Sequence, residues 1–120
     1  MFKGNILVVD TDAYYSGFYQ KLLSKEGYKV FSASSLGEGT ALLGERSYEV
    51  VIADMVLQDH SGLDLLKEIR SSGSARDVIM ITSMQSIRKA VEALKYGASD
   101  YLTKPVDPDE LLLLIRNLID

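Results

Sequence analysis

The chain has 120 residues, a formal net charge of −4 and no cysteine. Its length fits one domain, residues 1–120, and the lack of cysteine excludes disulfides and thiolate metal sites. We find no basic cluster to neutralise nucleic-acid phosphates and no apolar run near the roughly 20 residues that span a bilayer. We therefore expect a soluble, cytoplasmic domain that binds neither nucleic acid nor membrane.

Five apolar segments of strand length alternate with segments of helical period. The predicted strands are Asn5–Asp10, Tyr28–Ala33, Val50–Asp54, Val78–Thr82 and Tyr101–Thr103. Three are nearly continuous in Val, Ile and Leu, which is typical of strands covered on both faces of a parallel sheet. This alternation, with right-handed crossovers, predicts an α/β fold built on a five-stranded, doubly wound parallel sheet.

Local signals mark the ends of the predicted helices. Ser61 precedes the third helix as an N-cap, Pro108 takes the first position of the fifth, and Gly27 stands where the first should stop. The aromatic residues of that first helix fall mostly on one face, so we expect them to pack in the core. Tyr14 is expected close to the acidic end of the first strand.

Four polar residues end or follow four of the predicted strands: Asp10, Asp54, Thr82 and Lys104. Ligands of doubly wound sheets bind beyond this edge, so these side chains should converge. Two carboxylates about 4 Å apart repel by roughly 4 kcal/mol at an effective dielectric near 20, and Mg²⁺ relieves such repulsion. With the ammonium of Lys104 and the hydroxyl of Thr82, the group suits a phosphoryl ligand, and Asp54 can form an aspartyl phosphate.

Three motifs together resemble the receiver domain of response regulators in two-component signalling. They are ILVVDTD, YEVVIADMVLQDHSGLDLLKEIR and VIMITSMQSIRKAVEALKYGASDYLTKPVDPDELL, which cover most of the chain. The last is most similar to receivers of sigma-54-type transcriptional activators. The resemblance implies a flavodoxin-like (βα)5 fold and a sensor histidine kinase as partner. It implies a domain that catalyses its own phosphorylation and turns over no free substrate, so we do not expect an enzyme.

The resemblance assigns roles to the phosphoryl site by position. Asp54 is similar to the phosphoacceptor and Thr82 to the switch hydroxyl that contacts the phosphoryl group. Lys104 resembles the phosphate-binding lysine, whose bond to Pro105 is typically cis. Tyr101 resembles the aromatic residue whose rotamer follows Thr82.

The metal pocket departs from the family pattern at one position. Asp10 and Asp54 resemble its acidic residues, and Val56 stands where the backbone carbonyl is offered to Mg²⁺. The family usually has a second acid directly after the first, where this chain has Thr11, so we expect weak Mg²⁺ binding. Asp12 is a further candidate ligand, and the N-cap of the first helix is its competing role.

Two apolar residues bear on the lifetime of an aspartyl phosphate. Val56 and Met84 stand two residues after Asp54 and Thr82, where many relatives carry polar side chains. Neither can orient an attacking water, so slow hydrolysis is expected.

In the family, phosphorylation changes a face made by the fourth helix, fifth strand and fifth helix, through which a homodimer or an effector domain would bind. Lys95, Asp100, Tyr101 and Arg116 are expected on or near it. The last helix, DELLLLIRNLI, is apolar over about half its circumference, which is broad for a surface helix. Leu113 projects away from that apolar arc.

Two alternative functions remain open. A degenerate receiver would act as a docking module without phosphorylation, and Thr11 is its main support. A haloacid-dehalogenase-like phosphatase would use Asp10 as nucleophile and Asp12 as general acid, because ILVVDTD is also an apolar strand that ends in Asp-x-Asp. The chain is short for that fold with its cap, and no late acidic pair completes its metal site.

Overall fold

A computed structural model describes residues 2–83 and 87–119 of the chain. Its elements are β1 Asn5–Val9, α1 Ala13–Lys25, β2 Lys29–Ala33, α2 Leu36–Leu43, β3 Tyr48–Asp54, α3 Gly62–Ser72, β4 Ala75–Thr82, α4 Ile87–Lys95, β5 Asp100–Thr103 and α5 Pro108–Ile119. The strands pair in parallel in the order β2-β1-β3-β4-β5, which confirms the predicted doubly wound sheet. Met84, predicted to influence hydrolysis, lies outside the described residues.

The strand boundaries differ from the prediction at several ends. β3, β4 and β5 begin earlier, because backbone pairing continues through residues such as Asp77 that lie outside the apolar runs. β1 ends at Val9 and β2 begins at Lys29, so Asp10 and Tyr28 lie just outside the strands. Asp10 nevertheless donates its backbone N–H to the carbonyl of Ala33 at 3.0 Å, so the predicted edge position is kept.

The sheet separates two hydrophobic clusters, and strand alternation decides which side chains enter each. Ile6, Val8 and Ile52 belong to the cluster beneath α1 and α5, together with Tyr19, Leu23, Leu111 and Ile115. Leu7, Val9 and Ala53 belong to the cluster beneath α2, α3 and α4, together with Leu43, Leu65, Ile69 and Ala93. Within the described ranges, no helix is long and apolar enough to cross a membrane.

Local caps close the loops at the carboxyl edge of the sheet. Asp12 is the N-cap of α1, and its side chain accepts from the N–H of Tyr14 at 2.9 Å. Ser61 caps α3 and accepts from Leu63 at 3.1 Å. Gly62 follows, and a Cβ there would overlap the backbone carbonyl of the residue that ends β3. The loop from β3 to α3 therefore depends on glycine at this position.

Candidate functional site

Lys104 lies between the two acidic residues predicted to share a pocket. Its Nζ is 2.5 Å from Oδ2 of Asp54 and 3.2 Å from Oδ2 of Asp10. The peptide bond from Lys104 to Pro105 is cis, as the resemblance implied. The predicted convergence is thus found for these two carboxylates and the ammonium, which bridges them.

Asp10 is the most enclosed acid of the site, with 2% of its side chain exposed. Its Oδ1 accepts a hydrogen bond from the N–H of Asp12 at 2.8 Å. The pKa of Asp10 is raised, chiefly because the group is buried and also because of the negative charge of Asp54. The hydrogen bond from Asp12 and the interactions with Lys104 lower it, but by less. Asp10 is therefore the carboxyl that would take up a proton if the ammonium were removed.

The two oxygens of Asp54 have separate partners. Oδ1 accepts from the N–H of Val56 at 3.0 Å, and Oδ2 accepts from Lys104. Burial by itself would lower the pKa of Lys104, but its hydrogen bond and charge interaction with Asp54, followed by those with Asp10, raise it above the ordinary value. The lysine is therefore cationic, and its ammonium lies between two carboxyl groups.

Thr82 lies at the end of the neighbouring strand and is 1% exposed. Its carbonyl accepts from the N–H of Lys104 at 2.8 Å, and the carbonyl of Ile81 accepts from Met55 at 2.8 Å. These bonds fix Thr82 beside the strand that ends in Asp54. Side chains alternate between the two faces of a strand, so Thr82 lies on the same face as Met80. Met80 belongs to the hydrophobic cluster beneath α2, α3 and α4.

Tyr101 lies on β5 opposite Met80 and packs partly buried against that same cluster. Asp10 and Asp54 instead lie on the face of the sheet that carries Val8 and Ile52. That face is covered by α1 and α5. The acidic residues and the two candidate switch residues therefore approach the sheet edge from opposite faces.

Thr11 has a structural role that the sequence did not indicate. Its hydroxyl accepts from the N–H of Gln58 at 2.9 Å and donates to the carbonyl of Ser34 at 3.2 Å. The adjacent Asp59 accepts from the N–H of Leu36 at 2.9 Å. Thr11 thus joins the loop after β3 to the loop before α2, a role that requires both the donor and the acceptor capacity of a hydroxyl.

The donor set fits a hard cation only in part. Asp10 and Asp54 offer carboxylate oxygens, and the backbone carbonyl of Val56 is a further candidate. Asp12 caps α1 with its side chain, and Thr11 is engaged with the loops. In the described part of the chain, no group of three or more His, Cys, Asp or Glu residues could hold a metal ion. The residues present therefore suit an Mg²⁺ ion that keeps several of its waters.

Sequence reasoning treated the aromatic residues of α1 as core and did not assign one to the site. Tyr15 places its ring 4.2 Å, centroid to Nζ, from Lys104. The residue expected near the acidic edge, Tyr14, is 71% exposed. The sequence did indicate that Tyr15 lies near the site, because it stands in the first turn of α1, directly after the strand that leads to Asp10. It did not indicate which ring of that turn faces inward, because the rotation of the helix decides this.

One of the residues predicted on or near the partner face, Arg116, lies elsewhere in the structure. Leu113 is 58% exposed, as its position outside the apolar arc indicated. Arg116, however, forms an ion pair with Glu26, the C-cap of α1, at 2.9 Å. Its guanidinium is therefore directed towards the end of α1 and away from the predicted partner face.

The sequence matches the family described as the response regulator receiver domain over residues 6–116. It is 38% identical over 116 residues to the uncharacterized transcriptional regulatory protein YkoG of Bacillus subtilis, covering 97% of this chain and 51% of that protein. It is 39% identical over 109 residues to the transcriptional regulatory protein ZraR of Salmonella typhimurium, covering 91% of this chain and 25% of that protein.

A solved structure of NtrX from Brucella abortus, in complex with ADP, superposes with a TM-score of 0.92 at 31% identity. The match covers 99% of this chain and 27% of NtrX. The chain thus spans about half of YkoG and about a quarter of ZraR and NtrX. These matches confirm the predicted flavodoxin-like receiver fold and the likeness to receivers of sigma-54-type transcriptional activators.

Proposed function

The chain belongs to the response regulator receiver family, and from that premise we propose that Asp54 accepts a phosphoryl group from a partner histidine kinase. In this proposal residues 1–120 act as one receiver domain of a two-component system that regulates transcription. The observation that carries it is the ammonium of Lys104, which bridges Asp54 and Asp10 at 2.5 and 3.2 Å. A cation in this position can stabilise the negative charge of a phosphoryl group attached to Asp54.

In the transfer step, one carboxylate oxygen of Asp54 forms a bond to phosphorus while the bond from phosphorus to the donor's histidine nitrogen breaks. The nitrogen keeps the electron pair of that bond. The product is an aspartyl phosphate with nearly two negative charges, which Lys104 stabilises. The N–H of Val56, already bonded to Oδ1 at 3.0 Å, orients the carboxylate and leaves the second oxygen to react once Lys104 shifts towards the phosphoryl group.

Asp10, Asp54 and the backbone carbonyl of Val56 would hold Mg²⁺, which would supply positive charge to the phosphoryl oxygens. Asp10 contributes a carboxylate that burial and the bond from Asp12 hold in a fixed orientation. Thr11 contributes no charge, so we propose weak Mg²⁺ binding relative to a site with three carboxylates.

The switch joins the phosphoryl site to the opposite face of the sheet. Thr82, on the α4 side, would donate its hydroxyl to a phosphoryl oxygen, and the movement would free space for the ring of Tyr101. The phosphorylated state thereby favours one of two pre-existing arrangements of α4, β5 and α5. That face would bind a second copy of the chain or an effector domain. The domain modifies itself and turns over no free substrate, so it acts as a switch and not as an enzyme.

Trapping of the acyl phosphate tests the proposal. The protein is incubated with acetyl phosphate and Mg²⁺, reduced with borohydride, and mapped by mass spectrometry. We expect label on Asp54 and none on the Asp54→Asn variant. Label on Asp10 would instead support the haloacid-dehalogenase-type chemistry, and a protein that stays unlabelled under saturating donor and Mg²⁺ would refute both.

One observation favours a second candidate, the docking module that is not phosphorylated. The hydroxyl of Thr11 is engaged by Gln58 and Ser34, so the position that usually ligates the metal serves the loops instead. Titration of Mg²⁺ and then beryllofluoride against the amide NMR spectrum separates the two candidates. Shifts at Asp54, Thr82 and β5 support the phosphorylated receiver, and an unchanged spectrum supports the docking module.

A further inference from the structure

The contact between Lys104 and α1 is not used by the phosphoacceptor proposal. Nζ of Lys104 lies 4.2 Å from the ring centroid of Tyr15, in addition to its short distances to Asp54 and Asp10. An ammonium group has three N–H donors. Two carboxylates and one ring face therefore match its whole donor capacity.

Tyr15 is held in place by the aromatic layer of α1. Its ring makes an edge contact with Phe18, with centroids 5.9 Å apart and planes at 81°. It also lies 5.9 Å from the ring of Tyr19, which is fully buried. The ring face is consequently presented to Lys104 by a rigid support and does not depend on a mobile surface side chain.

Lys104 needs such a support because its side chain is long and flexible. Its side chain is 23% exposed, so solvent is within reach of the ammonium. A ring face attracts a cation through its quadrupole, and the attraction is stronger where water is excluded. Without the ring, the ammonium would keep its two carboxylates but lose its third partner.

We propose that Tyr15 is a positioning residue, which holds the ammonium of Lys104 between Asp10 and Asp54 by presenting its ring face as the third partner. The purpose of this contact rests on the proposed function, since a lysine held in place meets the incoming phosphoryl group without first being ordered. The contact itself exists in the unphosphorylated protein and is measurable there.

The test compares Tyr15→Phe, which keeps the ring face, with Tyr15→Leu and Tyr15→Met, which keep apolar bulk without it. The pKa of Lys104 is followed by NMR of its side chain in unphosphorylated protein, and the rate of Nζ acetylation is followed by mass spectrometry. We expect Tyr15→Leu and Tyr15→Met to lower that pKa, because the attraction of the ring for the cation is lost, and to speed acetylation severalfold. Tyr15→Phe should match the parent protein in both measurements.

Tyr96→Leu is the matched control, because it removes an exposed ring from another lysine contact, that of Lys67 at 4.4 Å, and should leave Lys104 unchanged. A Leu or Met variant with the parent's pKa and acetylation rate would overturn the role of Tyr15, whether or not Asp54 can be labelled. A Phe variant that behaves like Leu would overturn it too, since the hydroxyl would then be the active group. A shift in Lys104 with Asp54 unlabelled would keep the role of Tyr15 and reject the phosphoacceptor proposal.

Discussion

Lys104→Met removes the cation from between two carboxylates while it keeps most of the side chain's length and apolar contact. Asp10 has 2% of its side chain exposed in the parent protein, and in the variant it would face Asp54 without a counter-charge. Breaking one partner out of a buried ion pair typically costs about 3–5 kcal/mol. The change therefore tests whether the ammonium, and not the packing of the lysine chain, holds the acidic residues together.

The expected magnitude follows from the geometry. A charge pair at 3.2 Å interacts by about 5 kcal/mol at an effective dielectric near 20. The variant can limit this loss by protonating Asp10. Relative to an ordinary Asp pKa near 3.9, that proton uptake costs about 4 kcal/mol at pH 7 and about 1.5 kcal/mol at pH 5. We therefore expect the free energy of unfolding to fall by up to about 4 kcal/mol at pH 7 and by no more than about 1.5 kcal/mol at pH 5.

The sign of the pH dependence follows from the direction of the shift. Burial already raises the pKa of Asp10, and loss of the lysine raises it further. A carboxyl whose pKa is higher in the folded state favours folding more as the pH falls. The difference in stability between the parent and the variant should accordingly shrink from pH 7 to pH 5.

Urea unfolding is followed by circular dichroism at pH 5, 6 and 7 in the presence of a chelator. It measures the free energy of unfolding of the parent protein and of Lys104→Met at each pH. The double variant Lys104→Met, Asp54→Asn is the control, because it removes one of the two unpaired charges and should recover part of the lost stability at pH 7. A stability difference that stays constant across this pH range would refute the electrostatic argument and assign the loss to packing.

Three further variants test other parts of the site. Thr11→Asp adds a carboxylate where the hydroxyl now joins two loops, and calorimetric titration should show Mg²⁺ affinity higher by roughly tenfold, ~1.4 kcal/mol. Gly62→Ala places a Cβ against the backbone carbonyl of Asp54, and chemical denaturation should show a loss of about 3 kcal/mol. The double variant Val56→Asn, Met84→Glu puts polar side chains two residues after Asp54 and Thr82 in the sequence, and phosphate release should be about tenfold faster, below the ~100-fold typical of a full general base.

Matched controls separate these effects from general damage. Thr11→Val removes the hydroxyl without adding charge, so it should not raise Mg²⁺ affinity; an equal rise would contradict the ligand argument. Gly17→Ala, on α1, meets no atom within 4 Å and should stabilise by about 0.5–1 kcal/mol. If the double variant kept the acyl phosphate as long as the parent protein does, Val56 and Met84 would not be the cause of slow hydrolysis.

The sheet and the identity of the acidic edge were predictable from the sequence. Apolar runs of Val, Ile and Leu mark strands covered on both faces, and the residue after each run must emerge at the carboxyl edge. Asp10, Asp54 and Lys104 therefore converge without any knowledge of long-range contacts. The early starts of β3 and β4 were missed because backbone pairing tolerates polar residues that interrupt an apolar pattern.

Single contacts at the site required the tertiary structure. Thr11 was read as a missing metal ligand, and only the folded loops bring Gln58 and Ser34 to its hydroxyl. Arg116 was expected on or near the face made by α4, β5 and α5, and in the fold it pairs with Glu26 at the end of α1. Each of these partners is far away in sequence, so no local pattern specifies it.

The sequence by itself determined the fold and which chemical groups meet at one sheet edge, because strand periodicity and strand ends are local properties. The tertiary structure decided that Lys104 lies between the two carboxylates and that Tyr15, not Tyr14, covers it. Neighbouring residues of a helix point about 100° apart, so a small rotation of α1 selects the ring that faces inward. That rotation is set by the packing of α1 against the sheet, and the sequence of α1 alone does not specify this packing.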